Sequence, residues 1–203
     1  MFCLFLVLAV SDGFDDALLK STGMRKAHIY TPERADDPFL NDGPPPPLVL
    51  QLYFDDLPAL EKACAGPLSK LDGGVAQAMA VRRFQVPEPG TAKCTYVVAY
   101  DGPAEDEPAW HAHYLAHHPQ LMARLPGIRE LEVYTRVDWV APPGWKRANC
   151  MQRNKVGFDS AAALTAALNS PVRLEMCADF NRLPRFSGKV THFPMATRVI
   201  VTS

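Results

Sequence analysis

The chain has 203 residues, of which 48% are hydrophobic and 21% are charged, so it is long enough and apolar enough to bury a sizeable core. Its 21 Lys and Arg residues nearly balance its 22 Asp and Glu residues, which gives a formal net charge of -1. This balance provides neither a basic stripe for nucleic acid nor an acidic tail for a charged partner, and it favours a small-molecule partner.

The first predicted element is an apolar strand near residues 2–10. It resembles the core of a signal peptide, but no basic residue precedes it, it is too short to span a bilayer, and no small-residue cleavage pattern follows it. We therefore interpret it as a buried strand and expect no membrane contact. Five widely spaced cysteines in mostly apolar runs are typical of buried thiols in a reducing compartment, which together predicts a cytoplasmic location.

Further along the first half, periodicity predicts helices near 14–21 and 56–67 and strands near 25–31, 48–54 and 75–86. The proline-rich loop from Pro32 to Pro47 is predicted to be a surface connection, because proline lacks the N–H that a helix or ladder needs. A linker at residues 86–90, Val-Pro-Glu-Pro-Gly, is the predicted boundary between a first domain at 1–88 and a second at 89–203.

The second half repeats the order of the first: strand, helix, strand, strand, helix, strand. Its strands are predicted near 94–101, 128–140, 147–158 and 190–202, its helices near 106–125 and 160–169, and an extra helical or turn segment at 171–183. A four-stranded sheet with helices on one face needs cover on the other, and a second copy of the same sheet supplies it. The predicted fold class is therefore α+β, with two βαββαβ units packed sheet to sheet.

An internal repeat supports this division. Residues 22–31 align without gaps on residues 126–135, at an offset of 104, with Gly, Arg, Tyr and Thr identical, and Phe54-Asp55 recurs as Phe158-Asp159 at the same offset. Weaker matches pair residues 12–13 with 101–102, at an offset of 89, and residues 79–82 with 195–198, at an offset of 116. The second copy therefore gains 104 minus 89, or 15, residues before Gly127 and 116 minus 104, or 12, residues after its second helix.

Four of the six histidines lie at positions 111, 113, 117 and 118, inside the predicted helix 106–125. On a helical wheel, His117 and His118 border the apolar face that contains Trp110 and Tyr114. Pro119 is predicted to break the helix beside His118 and to begin a second helical stretch. Such a break often lines a pocket, and histidine is well suited to proton transfer near neutral pH. His118 is therefore the leading catalytic candidate.

Two other interpretations of the cluster stay open. In one, His118 is a core histidine bonded to a backbone group, and His111, His113 and His117 form a solvated surface. In the other, His113 and His117 are a metal pair at i, i+4 spacing. No carboxylate accompanies them at zincin-like spacing and no cysteine pair has zinc spacing, so no metal site is predicted.

Further residues are candidates for the same pocket. Tyr134, which corresponds to Tyr30 in the first copy, is either a catalytic group or a repeated packing position. Tyr96 and Tyr100 share one face of the strand before the histidine helix and are either core residues or oxyanion donors. His192 would reach the pocket if the last strand lay beside the first strand of its half. The predicted substrate-binding residues are Trp110, His111, Tyr114, Tyr96, Tyr100, Arg136 and His192.

A family resemblance follows from the pattern Trp110-x-x-x-Tyr114-x-x-x-His118-Pro119-x-Leu121-x-x-x-Leu125-Pro126-Gly127-x-Arg129, which resembles the EthD family of dimeric α+β barrel proteins. The resemblance extends through Phe158-Asp159-Ser160 and Ala178-Asp179-Phe180 to the last strand, and residues 1–86 look like a degenerate second copy. It implies tandem ferredoxin-like units joined sheet to sheet as an intramolecular dimeric α/β barrel, with pockets between each sheet and its helices.

The resemblance also implies a cofactor-free enzyme that acts on aromatic or polyketide-like molecules. Arg136 and other cations on adjacent strands could bind a carboxylate, so the predicted substrate is aromatic or carboxylate-bearing. The leading hypothesis is a lyase or isomerase, such as a decarboxylase or dehydratase, with His118 as general acid or base and His117 or Tyr134 as a supporting catalytic group. The alternatives are a cofactor-free monooxygenase of the anthrone type and a non-catalytic small-molecule binding protein. One site per chain is predicted, and a homodimer beyond the internal pseudo-dimer stays possible.

Overall fold

The computed structural model describes residues 1–9, 15–40, 42–71 and 74–202. The first half contains β1 (Phe2–Leu8), α1 (Asp16–Lys20), β2 (Lys26–Pro32), β3 (Leu48–Phe54), α2 (Leu57–Ala65), a 3-10 turn (Pro67–Lys70) and β4 (Val75–Phe84). The second half contains β5 (Cys94–Tyr100), α3 (Glu107–Met122), β6 (Ile128–Arg136), β7 (Lys146–Arg147), β8 (Gln152–Phe158), α4 (Ala161–Leu168), α5 (Pro171–Phe180) and β9 (Val190–Val201). Three predicted features extend outside the described residues: position 10 of the first strand, position 14 of the first helix and residues 12–13 of the weaker repeat match.

Eight of these strands form one closed antiparallel barrel. Their order is β1-β3-β2-β9-β5-β8-β6-β4, and β4 pairs again with β1 to close the barrel. The first half supplies the run β2-β3-β1-β4 and the second half supplies β6-β8-β5-β9, and the halves join through β2–β9 and β4–β6. The predicted α+β class and the barrel are thus confirmed, and closure leaves these eight strands without a free edge.

Equivalent positions in the two halves make the same local structure. Arg25 Nε donates to Asp55 Oδ2 at 2.8 Å, and Arg129 Nε donates to Asp159 Oδ2 at 2.8 Å, which is the same pair at the offset of 104. The glycine that precedes each arginine by two residues, at positions 23 and 127, has a φ of 74° or 73°. This left-handed conformation explains why both halves carry glycine at that turn.

Alternation along the strands sorts the side chains into three cores. Leu4, Leu6 and Leu50 face α1 and α2 on the outside of the first half. In the second half, side chains such as Val98 and Val133 face α3, α4 and α5. The third core fills the barrel and includes Phe5, Tyr30, Tyr53, Tyr134 and Met195.

The barrel interior also holds a charged network centred on Glu132. Its Oε2 accepts hydrogen bonds from Tyr53 Oη at 2.5 Å and Tyr134 Oη at 2.6 Å, and its Oε1 accepts from Arg83 Nε at 2.9 Å. The Lys155 ammonium, which is 1% exposed, lies 3.3 Å from Glu132 Oε2. A buried carboxylate is tolerated here because donors occupy both of its oxygens.

The predicted helix break at Pro119 is wrong, because α3 runs continuously through that residue. Proline removes only one donor, the one that would bond the carbonyl four residues earlier. The buried positions Trp110, Tyr114, His118 and Met122 follow one another at intervals of four and hold the helix against the sheet. Tertiary packing therefore outweighs the local preference.

Two predicted strands in the second half are also corrected. The strand predicted at 128–140 ends at Arg136, because the chain then leaves the sheet and Trp139 packs into the outer core of the first half. The strand predicted at 147–158 is divided into β7 and β8, and β7 pairs in parallel with β4. The extra segment predicted at 171–183 is the helix α5.

All five cysteines are free, four of them buried and Cys177 partly buried. In the described part of the chain, no helix has both the length and the apolar character needed to cross a membrane.

The Glu132 network predicts a loss of stability in acid. Burial opposes ionisation of Glu132, but Lys155 and the three hydrogen bonds outweigh it and lower the pKa from 4.5 to about 2. Because the folded-state pKa is depressed, the stabilisation is complete above pH 4.5 and is lost as the pH falls through about 2. We expect a pH-dependent term on the order of 3 kcal/mol in the free energy of unfolding.

Denaturant unfolding of wild type and Glu132→Gln between pH 6 and pH 2 measures this term. The difference in stability between the two proteins should shrink as the pH falls. A difference that stays constant over the whole range would contradict the assignment.

Candidate active site

A cavity of about 250 Å³ lies between the outer face of the second-half sheet and helices α3, α4 and α5. Its walls are mainly apolar, and its volume is somewhat below the range of about 300–1,000 Å³ typical of ligand pockets, so only a small molecule fits. The polar and ionisable groups that reach it are few, and they include Tyr96, Tyr100, His118, Asn154, Arg173 and His192.

His118 enters the cavity from the buried face of α3 and is 4% exposed. Its Nδ1 lies 2.8 Å from Asp179 Oδ2, and the other oxygen of Asp179 lies 3.2 Å from His113 Nε2. A carboxylate only accepts hydrogen bonds, so neutral His118 must carry its proton on Nδ1. Nε2 of His118 then presents a lone pair, since the hydrogen bond of this ring to a described residue is made through Nδ1.

The pKa of His118 is lowered from its ordinary value of 6.5. Burial is the main cause, since it penalises the charged imidazolium, and the nearby Asp179 carboxylate partly opposes it. His118 is therefore neutral at neutral pH. A neutral imidazole oriented by a carboxylate is the arrangement of a general base.

A second histidine in the cavity is oriented in the same way. His192 lies on β9, which pairs with β5 and places His192 beside Val98, so the expected adjacency of these strands is observed. Asp42 Oδ2 lies 3.0 Å from His192 Nδ1 and accepts the His192 backbone N–H at 2.8 Å. The His192 ring stacks on Tyr96, with ring centroids 5.5 Å apart. Burial lowers the pKa of His192, and Asp42 opposes that effect.

Tyrosines form a hydrogen-bonded chain along one wall. Tyr100 Oη lies 3.3 Å from Tyr114 Oη, which accepts from Asn154 Nδ2 at 2.6 Å. Burial raises the pKa of Tyr100 to about 12 and that of Tyr96 further, so both hydroxyls are neutral donors.

The loop predicted to be a surface connection is one, since its described residues are exposed or partly buried, and part of it also covers this cavity. Phe39 and Leu40 of the first half line the cavity. The Asp36 backbone N–H donates to Thr165 Oγ1 of α4 at 3.0 Å, which ties the loop to the second half. The first half therefore contributes to the site as well as to the barrel.

Four of the predicted site residues, Tyr96, Tyr100, His118 and His192, meet at the cavity. Trp110 and Tyr114 lie one layer behind it, stacked at 5.1 Å between ring centroids. The remaining four, His111, His117, Tyr134 and Arg136, do not line the cavity.

Each of these four has another environment. His111 lies near Gln152 Oε1, at 3.3 Å, and His117 is exposed on α3. Arg136 pairs with Glu107 at 2.9 Å. Tyr134 is inside the barrel, on the opposite face of the sheet from His118, because β6 turns Leu131 toward the helices and Tyr134 inward.

His113 and His117, considered above as a metal pair, have ring centroids 4.7 Å apart. Within residues 1–9, 15–40, 42–71 and 74–202, no group of three or more His, Cys, Asp or Glu side chains is arranged to hold a metal ion. His113 is instead the second partner of Asp179.

Four residues at the site were not predicted from the sequence: Asp179, Arg173, Asp37 and Asp42. Asp179 belongs to the segment Ala178-Asp179-Phe180 that shares in the family resemblance, and both Asp179 and Arg173 lie on α5, in the region where the second half gains 12 residues over the first. That gain was the one feature of the sequence that could have pointed to Asp179 and Arg173. Asp37 and Asp42 come from a loop of the other half, and nothing in the local sequence connects them to the cavity.

Comparison with known proteins gives likenesses in structure. No protein-family model matches the chain, and no curated protein matches it. An anthrone oxidase-like protein superposes with a TM-score of 0.59 at 12% identity, over 98% of this chain and 92% of its own. A candidate monooxygenase from Lactobacillus acidophilus NCFM gives a TM-score of 0.56 at 9% identity, over 98% of this chain and 95% of its own. These two likenesses agree with the dimeric α+β barrel class.

An EthD family protein from Bacillus halodurans C-125 is also among the similar structures. It has 21% identity over 48% of this chain and 95% of its own, with a TM-score of 0.38.

The Asp179–His118 contact predicts how the pKa of His118 responds to substitution. In the wild type, an NMR titration should give a pKa below 6.5. Because Asp179 raises this pKa, Asp179→Asn should lower it further. His113→Asn is the matched control, since it removes the other partner of Asp179, and it should raise the pKa of His118 or leave it unchanged. An increase in Asp179→Asn would contradict the geometry.

Proposed function

We propose that this chain is a cofactor-independent enzyme of small-molecule metabolism in which His118 acts as general base on an aromatic or carbonyl compound. The observation that carries the proposal is the Asp179–His118 pair, at 2.8 Å, beside a small apolar cavity. Asp179 fixes the tautomer, burial keeps the imidazole neutral, and the free Nε2 is available to a ligand.

The reaction that this arrangement supports best is proton transfer on an enolisable substrate. His118 Nε2 removes a proton from carbon next to a carbonyl, and the electron pair moves onto the carbonyl oxygen. Return of the proton to a different atom completes an isomerisation. In a dehydration, hydroxide leaves the adjacent carbon and takes up the proton held by His118, so water is released and the base is regenerated. Isomerisation and dehydration therefore begin with the same step.

His192 and the tyrosines support this role through position. Asp42 only accepts hydrogen bonds, so neutral His192 donates to it through Nδ1 and keeps the lone pair of Nε2. A second neutral imidazole can accept a hydrogen bond from a substrate hydroxyl, while Tyr100, with its raised pKa, remains a donor. His192 and Tyr100 would therefore orient the substrate.

A cofactor-free monooxygenase is the second candidate, and the likeness to an anthrone oxidase-like protein and to a candidate monooxygenase favours it. The same base would deprotonate a ring methylene, and the resulting carbanion would reduce molecular oxygen. Conversion of the methylene to a carbonyl supplies four electrons, so one oxygen atom enters the product and the other leaves as water with the two hydrogens.

We also propose that each half is a ferredoxin-like βαββαβ unit and that the two arose as copies of one unit, with a boundary between residues 88 and 89. The matching strand orders and the ion pair repeated at the offset of 104 support this. Only the second copy would be catalytic, because the helix that carries His118 has no histidine-bearing counterpart in the first.

His118→Asn tests the proposed base. The probe is 2-tetralone in deuterium oxide, and the measured quantity is enzyme-catalysed exchange of its acidic protons, followed by NMR. The wild type should accelerate exchange, and His118→Asn should reduce the catalysed rate by about 10²–10⁴-fold. His117→Asn, one residue away but exposed, should stay within about threefold of wild type, since it has no part in the proton transfer.

The same variants with anthrone and an oxygen electrode separate the two candidates. Oxygen uptake that depends on His118 favours the monooxygenase, and proton exchange without uptake favours the lyase or isomerase. If wild type accelerates neither reaction, or if His118→Asn retains full activity, the proposed function is wrong.

A further inference from the structure

Arg173 lies in the first turn of α5 and is one of the residues that line the cavity. The residue is 9% exposed. Its guanidinium carbon lies 5.5 Å from the centre of the Phe39 ring, so the first-half loop covers it from outside. A permanently charged group is thus held at a mainly apolar cavity, out of contact with most of the solvent.

The charge of Arg173 is incompletely paired. The nearest carboxylate oxygen, Asp37 Oδ2, lies 3.6 Å from Nη2, and that oxygen already accepts a hydrogen bond from Tyr96 Oη at 2.5 Å. The Nε–H of Arg173 is buried and has no hydrogen-bond partner among the described residues. Leaving a buried charged donor unsatisfied costs about 1–3 kcal/mol or more. A ligand that supplied an acceptor to this N–H would recover that free energy.

The other carboxylates near the cavity are engaged elsewhere. Asp179 is bound by His118 and His113, and Asp42 is bound by His192. Neither makes an ion pair with Arg173. The positive charge of Arg173 lowers the pKa values of both His118 and His192, which shows that its field reaches the two imidazoles.

We propose that Arg173 is an oxyanion-binding residue. Its unpaired Nε–H donates a hydrogen bond to the negatively charged oxygen of a phenolate or enolate. This inference rests on the proposed function, because it deepens the role of the site by naming the ligand class. The ligand is an apolar ring compound with a hydroxyl or carbonyl whose conjugate base carries its charge on oxygen.

The step is balanced within the cavity. The proton passes from the substrate to His118 Nε2, and the electron pair of the broken bond is delocalised onto the oxygen beside Arg173. A fixed cation that needs no reorganisation stabilises this charge more strongly in a low-dielectric cavity than water does. Reprotonation reverses the charge movement and requires no external oxidant or reductant.

Binding of 4-nitrophenol tests the assignment without turnover, because its phenol and phenolate forms absorb at different wavelengths. Absorbance titrations at several pH values give the affinity for each form. The wild type should bind the phenolate at least tenfold more tightly than the phenol. Arg173→Met should lose this preference, and Arg173→Lys, which keeps the charge but not Nε, should retain part of it. Arg182→Met, which removes an exposed guanidinium outside the cavity, should retain all of it.

Two results would overturn the proposal: Arg173→Met that keeps the phenolate preference, or wild type that fails to bind the probe saturably. Circular dichroism and thermal unfolding of each variant establish that it is folded. If Arg173→Met does not fold, Arg173→Lys is the second variant that tests the proposal. A chain that prefers phenolate through Arg173 but neither exchanges protons from 2-tetralone nor takes up oxygen with anthrone would refute the proposed function and leave the role of Arg173 in binding the oxyanion intact. A chain that catalyses either reaction through His118 but shows no phenolate preference would refute the role of Arg173 and leave the proposed function intact.

Discussion

Closure of the eight strands into a barrel gives every strand one row of side chains that faces the interior and one that faces the helices. In this chain the two rows have different roles. The interior is filled by aromatic rings and by the Glu132 network, in which donors satisfy both carboxylate oxygens. The outer face of the second half is less completely filled, and the space left under its helices is the cavity.

The two regions that the second half has in excess of the first, by the offsets of the internal repeat, both supply this cavity. The longer α3 brings His118, and the added α5 brings Arg173 and Asp179. These additions face each other, and the His118–Asp179 contact joins them at 2.8 Å. The first half also contributes to the cavity and its hydrogen bonds, because its loop supplies Asp37, Phe39 and Asp42.

Local sequence predicted the strands and most of the helices because alternation and helical periodicity are local properties. It failed at Pro119, where packing of the buried face of α3 outweighs the preference of one residue. The break was therefore predicted from a true local rule that the tertiary structure overrides.

The site was only partly predictable for a different reason. His118 was identified by its type and its neighbours, but its partner Asp179 is 61 residues away, and the partner of His192, Asp42, is 150 residues away. No spacing rule connects residues so distant in sequence. The fold alone places them together, and it also separates Tyr134 from His118 although both were plausible from their residue types.

The proposed role of His118 depends on which ring nitrogen carries its proton. If Asp179 orients His118, neutral His118 carries its proton on Nδ1 and leaves the Nε2 lone pair to the ligand. Long-range proton–nitrogen NMR correlation of isotope-labelled histidine, recorded above the pKa of His118, reports the tautomer directly. We expect the Nδ1–H form, and a His118 that carries its proton on Nε2 would contradict the assignment of a general base.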